Sequence, residues 1–171
     1  MLRQRRKAWR DAGKGPAHLL AGSLVVMLAL ATPAQAEETF FDGLAAFDGG
    51  DLAETARIWR NLADAGDANA QVGLAGLHLA GNGVPRDSVE AARLYRLAAE
   101  QGDSNGQLNL GRLHLDGIGV QQDKAAAYAW FTLAANQGRR WAEDKRSELE
   151  PTLSDAERTE AETLIASIEN R

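Results

Sequence analysis

Matching residues recur at an invariant spacing of 36 along this chain of 171 residues. Gly66, Gly102 and Gly138 fall on that spacing, and so do the aromatics Trp59, Tyr95 and Phe131. The pairs Leu77/Leu113, His78/His114, Leu79/Leu115, Gly81/Gly117, Gly83/Gly119, Val84/Val120 and Asp87/Asp123 obey it too. Self-similarity at a period of roughly 20–50 residues marks a solenoid, whose units bury their apolar faces only by stacking on one another. Such a chain presents a surface and specifies no reaction.

Within the period the pattern is helical. Leu52, Ala56, Trp59 and Ala63 recur every three or four residues, as do Val89, Ala92, Leu94, Tyr95, Ala98 and Ala99, and then Ala125, Tyr128, Phe131, Ala134 and Ala135. Gly66, Gly102 and Gly138 end these leading helices, where a left-handed residue is wanted. Asp67 and Asp103 are placed to cap trailing helices over 68–80 and 104–116. Those helices are rich in Gly73, Ala75, Gly76, Gly106 and Gly111, a composition poor for isolated helices but suited to close helix–helix approach. In Gly81–Asp87 the glycines stop the helix and turn the chain, Pro85 blocks re-entry, and Asp87 caps the next helix. Gly117–Asp123 does the same without the proline.

The run Leu97-Ala98-Ala99-Glu100-Gln101-Gly102-Asp103, then Leu110-Gly111-Arg112-Leu113-His114 and the G-x-G-V loop, resembles the Sel1-like repeat, a relative of the tetratricopeptide repeat. The resemblance covers about 51–138. It implies an all-α fold, a right-handed α-α superhelix of antiparallel helix pairs, used as an adaptor. His78 and His114 stand where the family usually has Tyr, and Gln121 replaces the usual Pro. The expected units are a leading half repeat (39–50), repeats at 51–86 and 87–122, a degenerate third repeat (123–150) and a C-terminal capping helix (151–171).

The third unit departs in ways that suit an end. Arg139 replaces the capping Asp, Arg146 replaces Leu74/Leu110, and no G-x-G-V loop follows. Ser154-Asp155-Ala156-Glu157 reads as a capping box opening a helix with Ala161, Leu164, Ile165 and Ile168 along one side. That helix is expected to seal the stack.

Residues 1–36 have another character. Arg3, Arg5, Arg6, Lys7, Arg10 and Lys14 precede an apolar run of 13 residues, 19–31, then Pro33 and Ala34-Gln35-Ala36. This is the form of a secretory signal peptide cleaved between Ala36 and Glu37. The run is shorter than the about 20 residues that cross a bilayer, and the competing reading is an uncleaved anchor. Cleavage would leave 13 Lys and Arg against 23 Asp and Glu, a net charge of −10. That charge offers no footprint for nucleic acid and no attraction to anionic lipid. With no cysteine, stability rests on packing alone.

No catalytic constellation, cofactor motif or metal-ligand spacing stands out. His78 and His114 are one repeat apart, about 10 Å, too far to share an ion bound at about 2.1 Å. Gly81-Asn82-Gly83 is a turn, since no Lys-Ser/Thr follows it. Two surface features remain. Arg57 and Arg60, with Asp64, lie on one helix face, and Arg93 and Arg96, with Glu100, repeat it. These four arginines form a strip able to hold an acidic peptide, or are paired with Glu54, Asp64, Glu90 and Glu100, which is the preferred reading. Trp141 replaces Asn69/Asn105 and either packs under the capping helix, the preferred reading, or anchors a partner. The chain is thus expected to be a non-enzymatic protein-interaction or adaptor module, periplasmic or secreted, without cofactor, and off the membrane once the leader is removed. Alternatives are an accessory or enzymatic role in cell-wall metabolism, for which the suspected members of the family are cysteine-rich, and a membrane-tethered scaffold.

Overall fold

The computed structural model describes residues 37–170, so the leader, Ala36 on the expected cleavage junction, and Arg171 lie outside the described residues. Eight α-helices follow one another, with no strand among the described residues. They are α1 (Phe40–Asp48), α2 (Leu52–Asp64), α3 (Ala68–Ala80), α4 (Ser88–Glu100), α5 (Ser104–Asp116), α6 (Lys124–Asn136), α7 (Arg140–Leu149) and α8 (Asp155–Glu169). Each helix from α1 to α7 packs on the next, giving a right-handed α-α solenoid of antiparallel pairs. The leading helices are α2, α4 and α6; the trailing helices are α1, α3, α5 and α7.

The helix starts follow from aspartates. Carboxylates of Asp51, Asp67, Asp87, Asp103 and Asp123 accept backbone N–H bonds at 2.7–3.0 Å in the first turns of α2 to α6. Each such cap is worth about 1 kcal/mol. Where Arg139 takes the place of Asp103, no side-chain cap forms and α7 runs only 10 residues against 13 for α5. Arg139 reaches back one repeat, its Nε donating to Ser104 Oγ at 2.8 Å.

The stack is held by aromatics seated on small residues. A Cβ built on Gly43 would lie 2.3 Å from Trp59 Nε1, and one on Gly73 2.8 Å from Trp59 Cε3, so the indole is clasped between α1 and α3. Phe131 meets Gly111 the same way, at 2.7 Å. Trp59, Tyr95 and Phe131 are all buried. Phe40 stacks on Trp59 with centroids 5.3 Å apart, and Trp59 Nε1 donates to the Phe40 carbonyl at 3.2 Å. Val89, by contrast, is 67% exposed, although its position follows the apolar period. Among the described residues it lies away from α3 and α5, the helices on which α4 packs.

A polar ladder runs between the repeats. The buried Gln71 donates from Nε2 to the Ala63 carbonyl at 3.3 Å and accepts from Gln101 at 2.8 Å. One repeat on, Gln107 donates to the Ala99 carbonyl at 3.4 Å and accepts from Gln137 at 2.8 Å. Each glutamine satisfies a carbonyl at the end of one leading helix and ties it to the next, so the buried side-chain amides of Gln71 and Gln107 are both paired.

At the C-terminal end, α8 opens on the expected capping box: Glu157 N donates to Ser154 Oγ at 3.3 Å and Ser154 N to Glu157 Oε2 at 2.8 Å. The helix docks sideways on α6, where Ala161 meets Ala125 and Ala129. It is the expected C-terminal capping helix, and its seat is the flank of the last leading helix.

Gly119 lies at φ +69°, and a Cβ there would stand 1.9 Å from the Ser88 carbonyl oxygen. Gly102, at φ +88°, has nothing within 4 Å. Gly102→Ala is therefore expected to cost only the left-handed penalty, about 1–2 kcal/mol. Gly119→Ala must add displacement of the α4 backbone, and its thermal melt by circular dichroism should fall clearly below that of Gly102→Ala.

Candidate partner-binding face

The four arginines lie on the leading helices α2 and α4 and are exposed. Arg57 grips Glu54 with Nε and Nη2 at 2.8 and 2.7 Å and also pairs with Glu38, which precedes α1. Arg93 holds Glu90 by the same bidentate geometry, at 2.8 and 2.7 Å. The Arg57 guanidinium keeps the Glu54 and Glu38 carboxyls below the usual carboxylate range, and Arg93 does so for Glu90. Of the partners expected from sequence, Glu54 and Glu90 are engaged. Glu38 was not foreseen, being 19 residues before Arg57 and outside any helix. Arg60 and Arg96 make no ion pair within the described residues.

Arg96 opens onto a cleft of about 730 Å³ between α4, the 117–123 loop and α8, with Lys124, His114 and Gln121 on its walls and Glu157 and Glu160 opposite. His78 Nδ1 lies 3.3 Å from the Pro85 carbonyl. Its counterpart, the buried Nδ1 of His114, has no hydrogen-bond partner. Burial pushes the His114 imidazole below its ordinary value and Arg96 acts in the same direction, against Asp123 and the Gln121 carbonyl. No group of three or more His, Cys, Asp or Glu among the described residues is placed to hold a metal ion.

Trp141 does not pack under the final helix. It stands 43% exposed on α7, edge-on to Phe131 with centroids 5.6 Å apart, and Lys145 Nζ lies 5.7 Å from its ring centre. With Leu108, Asn109 and Arg112 it lines a hollow of about 260 Å³ against α5. The α8 helix goes to α6 and leaves the indole part exposed. Trp141 is therefore remote in kind from the arginine strip: one is on leading helices, the other on a trailing helix. Glu37, on the expected cleavage junction, is exposed.

The family model for the Sel1 repeat matches residues 68–103 and 104–138. This is a Sel1-repeat protein. The match pairs each trailing helix with the following leading helix, half a unit out of phase with the 51–86 and 87–122 division. A protective antigen present in uropathogenic Escherichia coli strains, displaying an SLR fold, is similar at 31% identity and TM-score 0.70 over 75% of this chain. A Sel1 repeat protein from Oxalobacter formigenes is similar at 28% identity and TM-score 0.59 over 63% of this chain. The chain spans 28% and 46% of those two proteins' lengths. No protein of curated function matches.

In this Sel1-repeat protein the His114 environment makes stability depend on pH. The folded state holds the imidazole neutral more firmly than the unfolded chain, so the unfolded state binds the extra proton first. Stability is then complete above the unfolded value, about 6.5, and falls as pH drops from there toward the lowered folded value. His114→Tyr should flatten the fall in melting temperature between neutral pH and pH 5, measured by circular dichroism.

Proposed function

We propose that this Sel1-repeat protein is an exported, non-catalytic adaptor that holds a protein partner on its leading-helix face. Sel1 repeats generally mediate protein–protein contacts, and the face of α4 carries the observation on which the reading rests. Arg96 has no ion-pair partner there among the described residues, while Val89 and Leu97 are exposed beside it. Exposed apolar side chains rimmed by charge are the composition of a binding surface. The leader-like segment and the −10 charge of 37–171 support export and argue against nucleic acid as partner.

A retained leader is the second reading, favoured by the other end of the molecule. Phe41 is 74% exposed, and Leu44 and Phe47 join it on α1, which begins four residues after Ala36. These side chains would rest on the bilayer surface beside an uncleaved anchor. No helix among the described residues is long and apolar enough to cross a membrane. Intact mass of the chain recovered from cells separates the readings: a start at Glu37 supports release, a start at Met1 supports the tether.

Arg60→Glu with Arg96→Glu should weaken capture of the partner at least tenfold while shifting stability by no more than about 0.5 kcal/mol, because neither side chain is ion-paired among the described residues. Unchanged affinity in a pull-down with an unchanged melt would remove the arginine strip from the account.

A further inference from the structure

The period places Ala125 and Ala129 of α6 in register with Val89 and Arg93 of α4, and Leu133 with Leu97. On α6 this face is occupied. Ala125 and Ala129 are fully buried against Ala161 of α8, with Leu164 and Ile165 packed around them. On α4 the same face is bare, Val89 being 67% and Leu97 38% exposed. The molecule therefore shows how a helix sits on a leading helix, and leaves the adjoining seat open.

We propose that the α4 seat takes one amphipathic, acidic helix of the partner protein, lying alongside α8. The inference rests on the reading that the leading-helix face binds a partner, and it adds that partner's chemistry. Val89 and Leu97 are eight residues apart, about 12 Å along the helix axis, so two apolar residues at similar separation on the incoming helix meet them. Between them stands Arg93, where α6 has Ala129. The close Ala129–Ala161 approach cannot be copied over a guanidinium, so the incoming helix stands farther off and must present carboxylates there. Arg96 supplies a second guanidinium one turn on, without an ion pair among the described residues, at the mouth of the cleft walled by Glu157 and Glu160. The Arg93–Glu90 pair lies on the surface, both side chains partly exposed, and opens readily to a new carboxylate.

The probe is a synthetic, end-blocked helical peptide with two Leu eight residues apart and Glu between them on the same face, in an Ala/Gln background. Its charge-reversed twin carries Lys for Glu. Fluorescence anisotropy with the purified full-length chain should show saturable binding of the acidic peptide and at least about tenfold weaker binding of the twin. Val89→Glu and, separately, Arg96→Glu should reduce binding of the acidic peptide by a similar factor, while Phe41→Ser leaves it unchanged. Both positions are exposed, so the melt of each variant should match that of the parent. No binding, equal binding of the two peptides, or binding that survives Val89→Glu overturns the proposal, the last because the peptide is then displacing α8 from α6. A photo-crosslinking residue at position 89 in living cells separates the two levels. Cross-linking to a partner segment that is not an acidic helix overturns this inference and keeps the adaptor face. Cross-links formed only from positions 41 or 141 overturn both.

Discussion

The seating of an aromatic ring on a backbone stripped of side chain is the contact on which the stack depends. Gly43 and Gly73 leave room for the Trp59 indole, and Gly111 for the Phe131 ring, at distances where any Cβ would collide. The trailing helices α1, α3 and α5 can therefore bring their backbone against an aromatic ring of a leading helix, and the ring is buried there. Glycine weakens these helices in isolation, by about 1 kcal/mol each relative to alanine. Packing offsets that cost, so trailing helices such as α3 and α5 owe their stability to their neighbours. The buried glutamine ladder adds register: Gln71 and Gln107 accept only from a glutamine correctly placed one repeat later.

Within the repeats α2, α4 and α6 pack on the trailing helices before and after them, so one flank of each leading helix is left over. That flank is the surface on which function is read. On α2 and α4 it carries arginines held by neighbouring glutamates or reaching into solvent; on α6 it carries alanines and is covered by α8. One periodic position thus has two fates, decided by whether the side chain is small enough to admit another helix. The short third repeat follows from the same logic at the end of the array. Without an aspartate at 139 the last trailing helix loses its cap, and α8 finds its apolar partner on α6.

Much of this architecture was legible in the sequence. The bounds of α3 and α5, the caps at Asp67, Asp87, Asp103 and Asp123, the capping box at Ser154 and the close-approach roles of Gly73, Gly106 and Gly111 follow from periodicity and local chemistry, which a single chain records directly. What was not legible depends on which of two acceptable partners a side chain meets. The apolar stripe of α8 suits α6 or α7 equally well as a pattern. Val89 fits the helical period yet faces outward, because three- and four-residue spacing does not say how wide the buried arc is. Glu38 pairs with Arg57 across a turn, and the glutamine ladder joins residues 30 apart, a separation that is not the period. Of the strip, the residue types and the shared face were readable; that Glu54 and Glu90 hold Arg57 and Arg93, while Arg60 and Arg96 have no ion pair among the described residues, depends on the folded geometry. For Trp141 the choice between packing and exposure turned on where α8 docks.

Native-state hydrogen exchange tests the nearest-neighbour account most directly. Helices packed on both sides by others should be the slowest to exchange, so protection should peak across α4, α5 and α6 and decline toward α1 and α7. Phe131→Ala should lower protection most in α5, α6 and α7, the three helices its ring joins, with a smaller effect on α2. Equal protection in α1 and α5, or a Phe131→Ala effect as large in α2 as in α5, would contradict a stack held together repeat by repeat.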